Sequence, residues 1–166
     1  MNEKDVLLRP FLSEDMDRVL DILTDKTVSK TYMLPDFTSK SDAIPLFRRL
    51  EELSHDKSRY VRCVSAGGNA IGIINDVIIK DGSIELGYAI HPAEQRKGYM
   101  TAALKIAIKE LLSSKYSAVI CGAFAHNTAS IRVMEKCGMQ QIAYTDTVKY
   151  RNQEYPCIYY AASKEN

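Results

Sequence analysis

Apolar positions change their period along the chain, and each change marks an element. Val6-Leu7-Leu8-Arg9 is a short apolar run stopped by Pro10, which reads as a strand. Met16, Val19, Leu20 and Leu23 then recur at helical spacing behind an acidic first turn of Glu14, Asp15 and Asp17, with Ser13 placed as the N-cap. A loop through Tyr32–Asp36 leads to a second helix from about Ser41 to Leu53. Phe47 and Leu50 share its face, and Pro45 is tolerable there because it lies near the start. From Arg59 the period becomes two: Arg59–Ser65, a Gly67-Gly68-Asn69 turn, Ala70–Ile79, an Asp81-Gly82 turn and Ser83–Ile90 form an antiparallel meander.

A polar loop, Pro92–Gly98, feeds a helix from about Tyr99 to Leu112 with Ala103, Ile106, Ala107 and Leu111 on one stripe. Ala118–Phe124 reads as a strand, Asn127 as a cap, Thr128–Cys137 as a helix, and Gly138 as the C′ residue that needs positive φ. The tail is two strands, Gln140–Val148 and Tyr155–Ala162, joined around Arg151-Asn152-Gln153. The order βα αβββ αβα ββ predicts an α+β fold with a mixed sheet.

Composition narrows the functional classes. The chain has 166 residues, 46% of them apolar and 26% charged, enough for one full-sized core and no more; a single domain over residues 1–166 is expected. A net charge of +1 offers no global attraction to nucleic acid or to an anionic membrane. No apolar run approaches the ~20 residues of a membrane span. Met1–Asp5 is charged and lacks a following apolar run with a small-residue cleavage site, so no signal peptide is read and a cytoplasmic protein is expected. Cys63, Cys121, Cys137 and Cys157 lie 58, 16 and 20 positions apart, which suits neither a zinc site nor a disulfide scaffold, and no metal is expected.

The near-neutral total hides an uneven distribution. Residues 1–25 carry seven acids and three bases, whereas Gln95–Lys109 carries Arg96, Lys97, Lys105 and Lys109 and no acid, a local charge of +4. Gln95-Arg96-Lys97-Gly98-Tyr99-Met100 opens a helix there. Free N–H groups at a helix end, its dipole and one glycine make a cradle for a phosphate or pyrophosphate, while the plain alternative is a turn with solvated cations. The spacing is neither that of a Walker loop nor that of a dinucleotide fingerprint.

These residues resemble the Arg/Gln-x-x-Gly-x-Gly/Ala loop of the GNAT N-acetyltransferases. Asn127-Thr128-Ala129-Ser130-Ile131-Arg132-Val133-Met134-Glu135-Lys136-Cys137-Gly138-Met139 is similar to the Asn-x-x-Ser-x-x-Val-x-Glu-Lys-x-Gly-Phe run of the RimJ/RimL-like branch, which acetylates ribosomal-protein N-termini. Leu8-Arg9-Pro10 with Ser13-Glu14-Asp15, and Glu85-Leu86-Gly87-Tyr88, match the same branch, so four blocks fall in the family's order between Val6 and Ala162.

The resemblance implies a mostly antiparallel sheet of about seven strands flanked by about four helices, with the strands ending near Ile90 and Phe124 splayed apart. It implies transfer of an acetyl group from acetyl-CoA to a primary amine by direct attack, with a homodimer as a candidate assembly. Tyr88, Ala89 and Ile90 would pair with pantetheine. Gln95, Arg96, Lys97, Gly98, Tyr99, Met100 and Thr101 would hold the pyrophosphate, and Asn127 and Ser130 the pantetheine arm, although Asn127 is equally an ordinary helix cap. Lys136 is either a ligand of the adenosine phosphates or a solvated lysine.

Glu85 is the candidate base and Ser130 the nearest candidate hydroxyl, with His126 and Cys121 as secondary candidates. Two departures from the family pattern stand out. Met134 occupies the usual position of an acidic Tyr, and Met100 puts a long side chain where a small residue lets CoA approach. A non-catalytic acyl-CoA sensor or interaction module is the alternative these favour. The acceptor, a protein N-terminal amine or a small amine such as an aminoglycoside or polyamine, would be held by residues near Thr31–Lys40 and Tyr150–Pro156. Five tail tyrosines (Tyr144, Tyr150, Tyr155, Tyr159 and Tyr160) suit that pocket or simply strand alternation.

Overall fold

Eleven regular elements follow one another in the computed structural model, which describes residues 5–164. The N-terminal reading at residues 1–4, and the last two residues of the expected domain, lie outside the described residues. In order come β1 (Val6–Arg9), α1 (Met16–Leu23), α2 (Ile44–Leu53), β2 (Val61–Ala66), β3 (Asn69–Lys80), β4 (Ser83–Ile90), α3 (Tyr99–Leu112), β5 (Ala118–Phe124), α4 (Thr128–Lys136), β6 (Gln140–Tyr150) and β7 (Gln153–Ser163). One seven-stranded sheet has the order β1-β2-β3-β4-β5-β7-β6. Every neighbouring pair is antiparallel except β4 and β5, which are parallel and joined through α3. This is the expected α+β architecture.

Three two-residue turns set the hairpins. Gly67-Gly68, Asp81-Gly82 and Arg151-Asn152 all have positive φ at both positions, the form whose twist matches that of paired strands. The last of these is tighter than expected, so β6 and β7 run further toward it than the apolar pattern indicates. Arg151 at φ 50° is a costly turn residue, and its guanidinium is held by Ser29 Oγ at 3.2 Å and by the carbonyls of Leu34 at 3.2 Å and Pro35 at 3.3 Å.

The helices cover the two faces of the sheet unequally. α3 and α4 bury Ala103, Leu104, Ala107, Leu111 and Met134 against Val64, Ile74, Leu86 and Val119. On the other face, α1 and α2 bury Val19, Ile22, Leu23 and Phe47 against Val61, Cys63, Ile73 and Ala89, over the β1–β4 half only. Among the described residues no helix is long and apolar enough to cross a membrane.

Ser13 is not the cap of α1. A short 3-10 turn, Ser13–Asp15, precedes the helix, and Ser13 Oγ donates to Glu51 Oε2 at 2.9 Å instead. Asp15, 4% exposed, takes over the entry: its Oδ2 accepts from Leu12 N–H at 2.8 Å, and both its oxygens accept from Arg9 at 2.7 and 2.9 Å. Burial alone would raise this carboxyl, but the hydrogen bonds from Arg9 and Leu12 outweigh it and hold it below the usual carboxylate range. Asp15→Asn is expected to cost about 2–3 kcal/mol at neutral pH, because the charge is lost and an N–H₂ donor replaces one of the two oxygens that accept from Arg9 and Leu12. Since the folded-state value is lowered, this stabilisation is present above the ordinary aspartate value of about 3.9 and is lost as pH falls through the folded value. Denaturant midpoints of the two proteins should therefore converge in acid.

Candidate active site

The parallel pair β4 and β5 stays in register only from Ser83↔Ala118 to Leu86↔Cys121. Beyond that point β4 continues to Ile90 paired with β3 alone, and β5 continues to Phe124 paired with β7 alone. The facing edges therefore part in a wedge, and the backbone groups of Gly87–Ile90 on that side have no strand partner. Because α3 follows β4 and α4 follows β5, both helices start at the wide end of this wedge. That is where open α/β sheets bind ligands, outside the carboxyl ends of parallel strands.

The entrance to α3 is built from an unusual backbone. A 3-10 turn at Pro92–Glu94 is fixed by His91, whose Nδ1 accepts from Ala93 N–H at 3.1 Å. The proton of His91 therefore sits on Nε2, which donates to Asp21 Oδ2 at 3.2 Å. Next, Arg96 has φ 62°, and Gly98, at the N-cap position of α3, has φ 81° and ψ 3°. The first bond beyond the cap runs from Ala102 N–H to Gly98 O at 3.1 Å, so the N–H groups of Tyr99, Met100 and Thr101 have no acceptor within the helix. Arg96 and Lys97 are exposed, and Lys97 Nζ donates to Glu94 Oε2 at 3.0 Å. Glu94, one residue outside the cationic window, thus offsets part of its +4.

Met100 does not obstruct this cradle. It is 5% exposed and turned into the core, where its Cε lies 3.3 Å from the place a Cβ on Gly72 would occupy. The long side chain that the sequence sets at this position is packed in the core.

At the start of α4, Asn127 Oδ1 accepts from Ser130 N–H at 3.2 Å, so Asn127 is a helix cap. Ser130 Oγ is 2.6 Å from the Tyr88 hydroxyl, a bridge from β4 across the wedge to α4. The sequence singled out Tyr88 for its backbone; its phenol is a further polar group at the gap, and burial holds it above its ordinary value. Met134 is fully buried, and Cys121 is buried with its thiol pushed up by desolvation. His126 is exposed and stacks on Phe124, 5.8 Å between centroids. Lys136 is exposed on α4.

Glu85 and Ser130 are not neighbours. Strand alternation puts Tyr88 and Ser130 on the α3/α4 side of the sheet and Glu85 on the other, with the wedge between them. On the Glu85 side the register brings together residues that the sequence scatters: Glu85↔Ile120, Gly122↔Tyr159, Phe124↔Cys157 and Cys157↔Asp146. Burial and the nearby charge of Asp146 hold the half-buried Glu85 carboxyl above the usual range. Gly122 has no Cβ for a reason: one would lie 2.6 Å from Cε1 of Tyr159, whose ring covers it. Nearby, Tyr32 O–H donates to Asn75 Oδ1 at 2.7 Å, and Asn75 pairs with Gly87.

The five tail tyrosines divide. Tyr160 faces α4 and donates to Glu135 Oε1 at 3.2 Å; Tyr144 and Tyr159 pair at 5.0 Å; Tyr150 and Tyr155 join Phe124, with Tyr155 stacked on it at 4.5 Å. Tyr150 O–H also donates to Ser29 O at 2.7 Å and accepts from Leu34 N–H at 3.2 Å. The two segments expected to hold an acceptor are therefore tied to each other. Among the described residues no cluster of three or more His, Cys, Asp or Glu side chains is placed to hold a metal ion.

A family model described as an acetyltransferase (GNAT) domain matches residues 5–140. No protein of curated function matches the chain. Among solved structures, a GNAT-family acetyltransferase from Bacillus anthracis aligns with a TM-score of 0.82 at 23% identity, over 96% of this chain and 95% of that one. A spermidine N-acetyltransferase from Vibrio cholerae, in complex with CoA and spermine, aligns at 0.79 and 14% identity over 96% of each chain. RimL, a ribosomal-protein α-N-acetyltransferase in complex with coenzyme A, aligns at 0.83 and 14% identity over 96% of this chain and 94% of that one. At such identities the likeness is one of fold.

Proposed function

The chain belongs to the GNAT acetyltransferase family, and from that premise we propose that it transfers an acetyl group from acetyl-CoA to a primary amine by direct attack. The observation that carries this reading is the wedge beyond Leu86/Cys121, entered by two helix N-termini. Its backbone edge at Tyr88, Ala89 and Ile90 suits an extended amide-bearing arm. The amides from Gln95 to Thr101 suit a pyrophosphate, with Arg96 as the adjacent cation. Acetyl-CoA, when bound, supplies the thioester that the amine attacks.

Glu85 is the base in this proposal. A carboxylate raised by burial and by Asp146 accepts a proton from the acceptor ammonium more readily than an exposed one. Tyr88 and Ser130, hydrogen-bonded to each other on the opposite face, are the hydroxyl pair that would protonate the departing sulfur, in place of the acid that Met134 cannot provide. With Met100 turned into the core, the sensor alternative keeps only Met134 in its favour.

The Asn127–Met139 block and the fold likeness to RimL support the RimJ/RimL-like branch. The four free thiols agree with a cytoplasmic location. Calorimetric titration with acetyl-CoA tests the donor half of the proposal. Saturable heat is expected, and no heat at high micromolar concentration overturns it. Binding without transfer to any amine of a broad panel selects the sensor instead.

A further inference from the structure

One buried histidine ties the loop before α3 to α1 and to the segment that follows α1. His91, 8% exposed, closes β4, and its N–H donates to Ile71 O at 2.7 Å. Its ring has a polar partner on each side: Nδ1 accepts from Ala93 N–H at 3.1 Å, and Nε2 donates to Asp21 Oδ2 at 3.2 Å. Asp21, on α1, accepts at its other oxygen from Lys40 Nζ. A backbone N–H only donates, so Nδ1 is the bare nitrogen of His91 and the ring proton sits on Nε2. Hydrogen bonds from Lys40 and then His91 outweigh burial and hold the Asp21 carboxyl below the usual carboxylate range, so Asp21 is ionised and both of its oxygens accept.

The loop that His91 holds is strained. After the 3-10 turn Pro92–Glu94, Gln95 is extended (φ −68°, ψ 155°), Arg96 is left-handed at φ 62°, and Gly98 at φ 81° opens α3. Glycine adopts such a φ without cost. Arginine does not, and a left-handed residue of that kind persists only where its surroundings over-determine it. Arg18, one turn before Asp21 on α1, lies 3.4 Å from Glu94 Oε1, and Lys97 Nζ donates to Glu94 Oε2 at 3.0 Å. Both are partly exposed ion pairs, the kind that contributes little. The bond from Ala93 N–H to the His91 ring is the better-buried anchor, and it exists only while Nδ1 carries no proton. Asp21 secures that condition by accepting the ring proton's hydrogen bond on the other side.

Resting on the reading of the α3 entrance as the pyrophosphate site, we propose that Asp21 and His91 are positioning residues for acetyl-CoA. Lys40 orients the Asp21 carboxylate, the carboxylate fixes the His91 tautomer, and the bare Nδ1 holds the turn that presents Arg96 and the amides of Tyr99, Met100 and Thr101. They act through the loop, without touching the donor. The lysine makes the relay directional. Its ammonium only donates, so in Asp21→Asn it keeps the amide oxygen and turns the amide N–H₂ toward His91 Nε2. Nε2 must then accept, the ring proton moves to Nδ1, and two donors face each other at Ala93.

The test reads tautomer and affinity together on the full-length protein. The nitrogen NMR signals of the His91 ring are expected to place the proton on Nε2 in the wild type and on Nδ1 in Asp21→Asn. Calorimetry is expected to show acetyl-CoA bound about threefold to tenfold more weakly by Asp21→Asn, the worth of one buried hydrogen bond, with kcat at saturating acetyl-CoA unchanged. Adding Lys40→Met to Asp21→Asn frees the amide to turn its oxygen to His91, and tautomer and affinity are both expected to return, which loss of packing alone does not allow. His91→Asn, whose short amide can still accept from Ala93 N–H, is expected to bind nearly as the wild type does, and His91→Ala as weakly as Asp21→Asn. Full affinity in Asp21→Asn, a lasting defect in the double variant, or equal weakness of His91→Asn and His91→Ala overturns the proposal. Failure of the acetyltransferase reading is separate: acetyl-CoA then gives no heat with the wild type. The backbone amide signals of Gly98–Thr101 in the free protein still decide the relay, since their shift in Asp21→Asn and return in the double variant support it and constant signals overturn it.

Discussion

Gly98→Val is expected to weaken acetyl-CoA binding by roughly tenfold to a hundredfold. The position has φ 81° and ψ 3°, a left-handed conformation that costs a β-branched residue about 1–3 kcal/mol. The protein escapes that cost by re-forming the turn, and the amides of Tyr99, Met100 and Thr101 then no longer point at one site. Since each 1.4 kcal/mol is a factor of ten in affinity, the range follows directly. Calorimetry reads the affinity. Thermal unfolding of the same variant separates a local effect from a global one, because Gly98 is exposed at a helix start and the core stripe of α3 is untouched. Unchanged affinity would place the phosphate site elsewhere.

Glu85→Gln is expected to lower kcat/KM by about a hundredfold or more while acetyl-CoA affinity changes little. The two effects separate because Glu85 lies on the opposite side of the sheet from Tyr88 and Ser130 and outside the α3 entrance. The pH profile carries its own signature. The base works only when ionised, and its value is raised by burial and by Asp146, so the acid limb of kcat/KM should lie above the ordinary glutamate value of about 4.3. For stability the sign is the reverse of that for Asp15. A raised folded-state value stabilises the protein below the unfolded value, and that contribution is lost as pH rises through the folded one. At neutral pH the half-buried anion is therefore a burden, and Glu85→Gln should melt slightly higher than wild type, with the gap closing in acid. A variant that is less active yet more stable would separate a functional carboxylate from a structural one; full activity in Glu85→Gln would remove it from the mechanism.

Much of the backbone at the proposed donor side was legible because its signals are local. The Gln95–Thr101 loop, the Asn127 cap and the Gly138 terminus each span a few residues, and the residue types alone carry the requirement for positive φ, a free carbonyl acceptor or unpaired N–H groups. The misreadings also have local causes. Ser13 has the composition of a cap, but Asp15 two positions later competes with a stronger acceptor that Arg9 holds in place. Met100 read as an obstruction because a loop motif does not say which way a side chain turns once the helix has packed. The Glu85 side of the sheet was scarcely legible. Tyr144, Asp146, Cys157 and Tyr159 alternate in an ordinary strand pattern, and Gly122 reads as a weak point in a strand until the ring of Tyr159 is laid over it.

By itself the sequence determined the elements, most of their hairpin turns, the family and the left-handed glycine that opens α3, since all of these depend on spacing within a few residues. Tertiary structure alone decided where β4 and β5 part, that Glu85 and Ser130 fall on opposite faces, and that Asp146 and Tyr159 join Glu85. The physical reason lies in the strand order β5-β7-β6: β7 inserts between strands that precede it in the chain. Residues more than 60 positions from Glu85 become its neighbours only through that non-local pairing, which no local periodicity encodes.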